Sequence, residues 1–341
     1  MSWLIFLALL LPTVQDPQIP PIGIIDFYGL RTVTEQQARG ALQIKEGDSL
    51  SDEPKDARRR LEALPGVAQA RLEWVCCENG KATLYVGIGE KGAPAFEFQP
   101  APKRTIELPE EIKQAGNDFQ KAQMDAVLKG NAAEDDSQGH ALMNDPASRA
   151  IQQRFITFAA RDLNLLRNVL HQSADAEQRA LAAQVIAYTA NKQTVVGDLV
   201  EAMRDPAGNV RNNATRALAV MAELSGKAVR QPIRIPTRPF VEMLNSIEWT
   251  DRNKSSLALV RLTEHRDSGV LAELRLQALP SLIEMARWKA SGHAYAPFFL
   301  LGRVAGFSEK EINEAWEHGV RAAFIEAAAK RATAKRTGRR K

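Results

Sequence analysis

Two segments of this chain repeat each other at an offset of 32 residues, and that periodicity restricts the fold more than any other feature. Ser173-Ala-Asp-Ala-Glu-Gln-Arg179-Ala-Leu-Ala182 lies over Asp205-Pro-Ala-Gly-Asn-Val-Arg211-Asn-Asn-Ala214, and Ile186 falls on Leu218. In each copy a basic residue early in a helix is followed by small and then large apolar positions. A second helix, Val195 to Met203, lies between the copies, so each unit is a helical hairpin. One hairpin cannot bury its own apolar stripe and has to stack on neighbours to complete a core.

The array of helices extends on both sides of this repeat. It starts near Asp145-Pro146, with Pro146 suited to a first helical turn, and helices are expected over 147–160 and 162–171. Ser225 to Pro239 is irregular, with Pro232, Pro236 and Pro239 interleaved with Arg230, Arg234 and Arg238. These three arginines are a candidate anion-binding loop; the competing reading is a solvated crossover. Further helices are expected at 240–247, 251–264, 269–278 and 280–288, then an apolar segment at 296–304 and a helix opened by a Ser308-x-x-Glu311 capping box.

Residues 22–91 have a different grammar. Ile24 to Phe27 reads as a strand ended by Gly29. A Thr34-x-x-Gln37 box opens a helix to about Leu42, and a second helix spans Pro54 to Leu64 before Pro65-Gly66. Two alternating runs, Ala70 to Cys77 and Lys81 to Glu90, are joined by Asn79-Gly80, a strong hairpin signal. Residues 92–145 read as a linker, rich in Pro and Ala up to Glu107, with a helix at about 109–129. The polar stretch 131–144 is expected to be mobile, with His140 as a solvated loop histidine.

The strand, helix, helix, strand, strand order, with Ile25-x-Phe27-x-Gly29, Gly47-Asp48, Gly66-Val67 and Val86 to Glu90, resembles a POTRA domain. That resemblance implies a periplasmic binding module able to accept a partner strand along a sheet edge. Over 146–328, Asp205-Pro-x-x-x-Val210-Arg211-x-x-Ala214-x-x-x-Leu218 resembles HEAT repeats, including the HEAT-like repeats named after phycobilisome lyases. The resemblance implies that Arg179, Asp205 and Arg211 are structural, bonding between neighbouring units. The expected fold is therefore mainly α: an α-solenoid of HEAT-like hairpins behind a small N-terminal α+β domain.

The formal charge of +4 does not describe a basic surface. Lys330 to Lys341 holds seven Lys or Arg and no acid, which leaves −3 for the rest of the chain. The segment 329–341 reads as a basic tail, able to attract an anionic polymer or nucleic acid. At the other end, residues 1–21 carry an unbroken apolar run from Trp3 to Leu11 and a Pro-rich connection. The run has signal-peptide length and falls short of the roughly 20 residues that span a bilayer. With no basic n-region and no clear cleavage site, both an exported chain and one anchored through its N-terminus fit.

Only two cysteines occur, the adjacent Cys76 and Cys77. A bond between neighbours is strained, because their alpha carbons sit about 3.8 Å apart. The expectation is two thiols, with Cys77 the more exposed. The five histidines, His140, His171, His265, His293 and His318, show no metal spacing, and no phosphate-binding Gly loop or Gly-x-Ser-x-Gly occurs. No catalytic, cofactor or metal residue is assigned and no small-molecule substrate is expected; a lyase-like HEAT enzyme is the minor alternative. The sequence points instead to a protein-binding adaptor or scaffold of the cell envelope, working through the helical surface and the sheet edge.

Overall fold

A computed structural model describes residues 20–49, 54–78, 80–225 and 233–338. The N-terminal apolar run and Arg230 lie outside them. The protein is mainly helical, with a small sheet near its N-terminus. That sheet is built from β1 (Ile22–Tyr28), β2 (Val67–Glu78) and β3 (Lys81–Glu90), with α1 (Glu35–Leu42) and α2 (Lys55–Glu62) inserted after β1. β3 is central, parallel to β1 and antiparallel to β2. Thr34 and Gln37 form the capping box of α1. Gly29 ends β1 at φ +81°, where a Cβ would sit 2.1 Å from the Ile88 carbonyl oxygen, so only glycine fits.

Alternation along the strands divides their side chains between two cores. Ile25, Leu84, Val86, Ile88 and Ala70 pack with Ala38, Leu42 and Leu61 of α1 and α2. The opposite face presents Asp26, Tyr28, Glu73 and Tyr85 to the helical region.

That region begins with α3 (Glu110–Leu128) and a small hairpin of β4 (Glu134–Asp135) and β5 (Leu142–Met143). Next come α4 (Pro146–Arg161), α5 (Leu163–Gln172), α6 (Ala176–Ile186) and, after a 3-10 turn at Lys192–Val195, α7 (Val196–Ala202) and α8 (Gly208–Ser225). They are followed by α9 (Arg238–Met243), α10 (Trp249–Leu262), α11 (Ser268–Gln277), α12 (Leu279–Ala286), α13 (Ser291–Ala305), α14 (Glu309–Glu317) and α15 (Arg321–Gly338). α5, α6, α8, α10, α13 and α15 pack each on the next, so one continuous core runs through the stack. Asp145, Asp175 and Asp267 cap α4, α6 and α11, and Ser308 with Glu311 boxes α14.

The sheet is docked on this stack. Tyr28 Oη donates to the Ile247 carbonyl at 2.6 Å, Asp26 accepts from the Lys289 N–H at 2.8 Å, and Arg71 pairs with Glu248 at 3.1 Å. Glu73 accepts from the N–H groups of Trp249 and Thr250, so a strand residue caps the start of α10. Tyr85 stacks on Trp249 with centroids 4.8 Å apart and bonds His293 Nδ1 at 2.7 Å. Gly87 leaves room for the Tyr28–Ile247 bond, because a Cβ there would lie 2.6 Å from Tyr28 Oη and 2.7 Å from the Ile247 carbonyl oxygen.

Four expectations are corrected. Residues 92–107 form an ordered strap across the helix ends. The N–H of Gln99 donates to the Arg204 carbonyl at 2.7 Å, that of Arg104 to Gln172 at 3.0 Å, and that of Ala174 back to Arg104 at 2.8 Å. Prolines 94, 100 and 102 favour such an extended path because they fix φ and remove donors, and Phe96 buries itself in the main core. The 131–144 stretch is the β4–β5 hairpin, held because Ala141, Leu142 and Met143 are buried. The basic segment is helical to Gly338: the apolar stripe Phe324, Ile325, Ala328, Ala332 carries α15 into it, and Lys335 donates to the Ala305 carbonyl at 2.9 Å. Finally, Cys76 is disulfide-bonded and not a thiol; the Cys77 side chain lies outside the described residues.

Candidate functional site

The repeat motif builds a line of buried ion pairs. Arg179 Nε donates to Asp205 at 2.7 Å, and its Nη1 to the Ser173 and Ala174 carbonyls at 2.8 and 3.2 Å. One unit on, Arg211 Nε donates to Asp251 at 2.9 Å and its Nη1 to the Asp205 and Pro206 carbonyls. A third copy, absent from the sequence reading, is Arg252, which donates to the Ser246 carbonyl at 2.6 Å and to Glu284 at 2.7 Å. Its offset from Arg211 is 41 residues, so the irregular stretch before α9 breaks the period of 32 and hides it. Ser246, six residues before Arg252 as Ser173 is before Arg179, is the signal that would have found it. Each arginine thus joins the loop before its own helix to an acid of the next unit. All three arginines are buried and bonded within the stack, and rings cover two of them: Arg211 lies 4.1 Å beneath the Phe98 ring and Arg252 4.7 Å from Tyr28.

With the struts turned inward, the opposite flank of the same helices is free. It lines a cleft of about 840 Å³ bounded by α3, the β4–β5 hairpin, α6, α8 and the start of α10. The lining positions obey the repeat. Glu177, Ala180, Leu181 and Gln184 of α6 correspond to Asn209, Asn212, Asn213 and Arg216 of α8 at the 32-residue offset, and Lys254 of α10 corresponds to Asn213 at the 41-residue offset. α3 closes one side at short range, since a Cβ on Gly116 would lie 2.8 Å from Leu181.

The lining is polar and rich in amides. Asn213 donates to the Ala180 carbonyl at 2.9 Å, and Gln178 is held by Asp175 and the Leu108 N–H. Asn117, Gln120 and Gln123 of α3, Gln184 of α6 and Asn209 of α8 also line the cleft, and their side chains make no hydrogen bond among the described residues. Three cations border it. Lys113 is paired with Glu110 at 3.0 Å and Arg216 with Glu134, whereas the Lys254 ammonium has no ion pair or hydrogen bond among the described residues. Burial lowers the Lys254 pKa, and Arg216 lowers it further.

His140, expected in solvent, sits at the floor of this cleft. Lys192 Nζ donates to the Ala187 carbonyl and to His140 Nδ1, each at 2.8 Å, and Tyr188 tilts against the imidazole at 4.9 Å. Burial, with Lys192 beside it, brings His140 down to about 4, so the ring is neutral at pH 7 and its Nδ1 accepts; burial brings Lys192 to about 8. Tyr188 Oη and Gln152 Nε2 both donate to the Ala141 carbonyl, which fixes the hairpin on the array.

The remaining site expectations lie elsewhere. Arg238 pairs with Glu242 on its own helix at 2.7 Å, and the backbone of Arg234 bonds Gln193, so these two are held by separate neighbours. No group of three or more His, Cys, Asp or Glu with metal-holding geometry occurs among the described residues, and no described helix is long and apolar enough to cross a membrane. The fold and cleft together describe a mainly helical protein with an amide-lined groove. No protein-family model and no curated protein matches the chain.

Proposed function

We propose that the protein is a non-enzymatic binding protein of the cell envelope, in which a HEAT-like array carries a docked POTRA-like unit and the cleft takes an extended polypeptide segment of a partner. The observation that carries this reading is the set of unpaired amides on α3, α6 and α8 facing one cleft. A carboxamide offers a donor and an acceptor together, the same pair that a peptide unit presents. Neighbouring packed helices stand about 8–10 Å apart, close to three residues of extended chain at about 3.3 Å each, so successive helices can meet successive stretches of backbone. The cleft volume lies within the roughly 300–1,000 Å³ of ordinary ligand sites, but its polar lining differs from the apolar lining usual for small molecules.

The apolar run Trp3–Leu11 supports export or anchoring. The sheet docks through one face, so a partner strand would have to use an outer edge. Part of that edge is taken: Ile22 of β1 already exchanges backbone hydrogen bonds with Gly47 and Asp48. The cleft is therefore the better-supported surface. The test is photo-crosslinking in cells from a probe at Gln184, with a second probe at the exposed Lys310 as control. Envelope-protein adducts specific to position 184, and weakened by Asn209→Ala, are expected. Equal adducts from both positions, or cytoplasmic proteins alone, would sink the proposal.

A further inference from the structure

We infer that the segment bound in the cleft carries a carboxylate, and that Lys254 is the residue that receives it. This rests on the peptide-binding reading above and narrows it to an acidic segment. Lys254 is half-buried on the first turns of α10, at the repeat position occupied by Asn213 in the preceding unit. Withdrawing an ammonium from water without a counter-charge is unfavourable, and the fold shows the usual remedy at each other cation of the cleft. Lys113 lies between Glu107 and Glu110, and Arg216 is held by Glu134. The more deeply buried Lys192 is satisfied by a carbonyl and an imidazole nitrogen. Lys254 alone among these amines lacks such a partner among the described residues, and it lines the cleft.

The surrounding charges give the site a direction. At the α8–α10 end, Lys254 and Arg216 face the single acid Glu134, a local excess of one positive charge. At the α6 end, Asp175 and Glu177 lie beside the start of the helix, and Asp175 is committed to capping it through the Glu177 and Gln178 N–H groups at 2.9 and 3.2 Å. A carboxylate is attracted to the first end and repelled from the second, so an acidic residue fixes which way the segment lies. An ammonium–carboxylate hydrogen bond formed away from bulk water is strong enough to discriminate between peptides.

The experiment is selection of a random peptide library on the full chain, followed by fluorescence anisotropy of a selected peptide and of its Glu→Gln or Asp→Asn counterpart. Selected peptides should be enriched in one acid. Amidating it, or substituting Lys254→Gln, should each weaken binding about 10- to 100-fold, with little further loss when the two are combined. Lys254→Arg should retain binding, and unchanged circular dichroism and unfolding midpoint of the Gln variant would exclude misfolding. Peptides that lack an acid, or whose affinity ignores Lys254→Gln while falling with Asn209→Ala, would overturn this inference and leave the cleft reading standing. Failure to select any peptide, or displacement of a selected peptide by inorganic phosphate at equal charge, would overturn it together with its premise of a polypeptide ligand.

Discussion

Arg211→Met is the sharpest test of how the stack is held. Arg211 is 1% exposed and makes bonds to Asp251 at 2.9 and 3.0 Å and to the Asp205 and Pro206 carbonyls at 2.8 and 3.0 Å, with the Phe98 ring 4.1 Å above it. Methionine fills much of the volume but leaves Asp251 a buried carboxylate supported by Ser246 alone, at 2.6 Å. Breaking one side of a buried pair costs about 3–5 kcal/mol. At about 2 °C per kcal/mol for a large domain, the melting midpoint should fall by about 6–10 °C. The double variant Arg211→Met/Asp251→Leu should recover most of that loss, because removing both charges also removes their desolvation. Burial already raises the pKa of Asp251, and loss of Arg211 raises it further. A carboxylate whose folded pKa is raised favours the folded state below its unfolded pKa and loses that contribution as pH rises through the folded value. The deficit of the single variant should therefore shrink as pH is lowered. Urea unfolding followed by circular dichroism at several pH values reads the single loss, its recovery and its pH dependence, and a thermal melt reads the midpoint. A single-variant loss below about 1 kcal/mol, or a double variant no more stable than the single, would refute the reasoning.

Further outcomes follow from other contacts. Burial, with Glu248 adding to it, raises Glu73 from 4.5 to about 7; the stability contribution of the docked sheet should therefore decline as pH rises from about 4.5 through 7, and Glu73→Gln should flatten that dependence in urea titrations. Gly116→Val should cost about 1–3 kcal/mol by overpacking against Leu181, and hydrogen exchange should show α3 opening while α10 to α13 stay protected. The peptide bond after Arg104 should resist trypsin until global unfolding, because its backbone is bonded to Gln172 and Ala174; early cleavage there would show that the strap is loose. Lys192→Met should release the β4–β5 hairpin, seen as faster exchange at Ala141 and Leu142, since His140 and the Ala187 carbonyl lose their shared donor.

Local chemistry made the element order readable. Capping boxes at Thr34 and Ser308, Pro146 in a first turn and the apolar periods each act within a few residues, so the sequence alone determined a mainly helical chain behind a small sheet. The 32-residue repeat likewise determined which positions of α6 and α8 are equivalent, and hence that side chains in register, such as Gln184 and Arg216, would share a surface. It did not determine what that surface faces. Packing decided that, by turning Arg179, Arg211 and Arg252 into the stack and leaving the flank with Gln184, Asn209 and Lys254 open. The same holds for the strap, the hairpin and the sheet. Phe96, Leu142 and Tyr85 lie in short apolar stretches whose local pattern does not say which core they join, and they enter the main core because distant helices supply the partners. His140 shows the principle at one atom: nothing near it in sequence marks it, and Lys192, brought from 52 residues away, makes it part of the cleft floor.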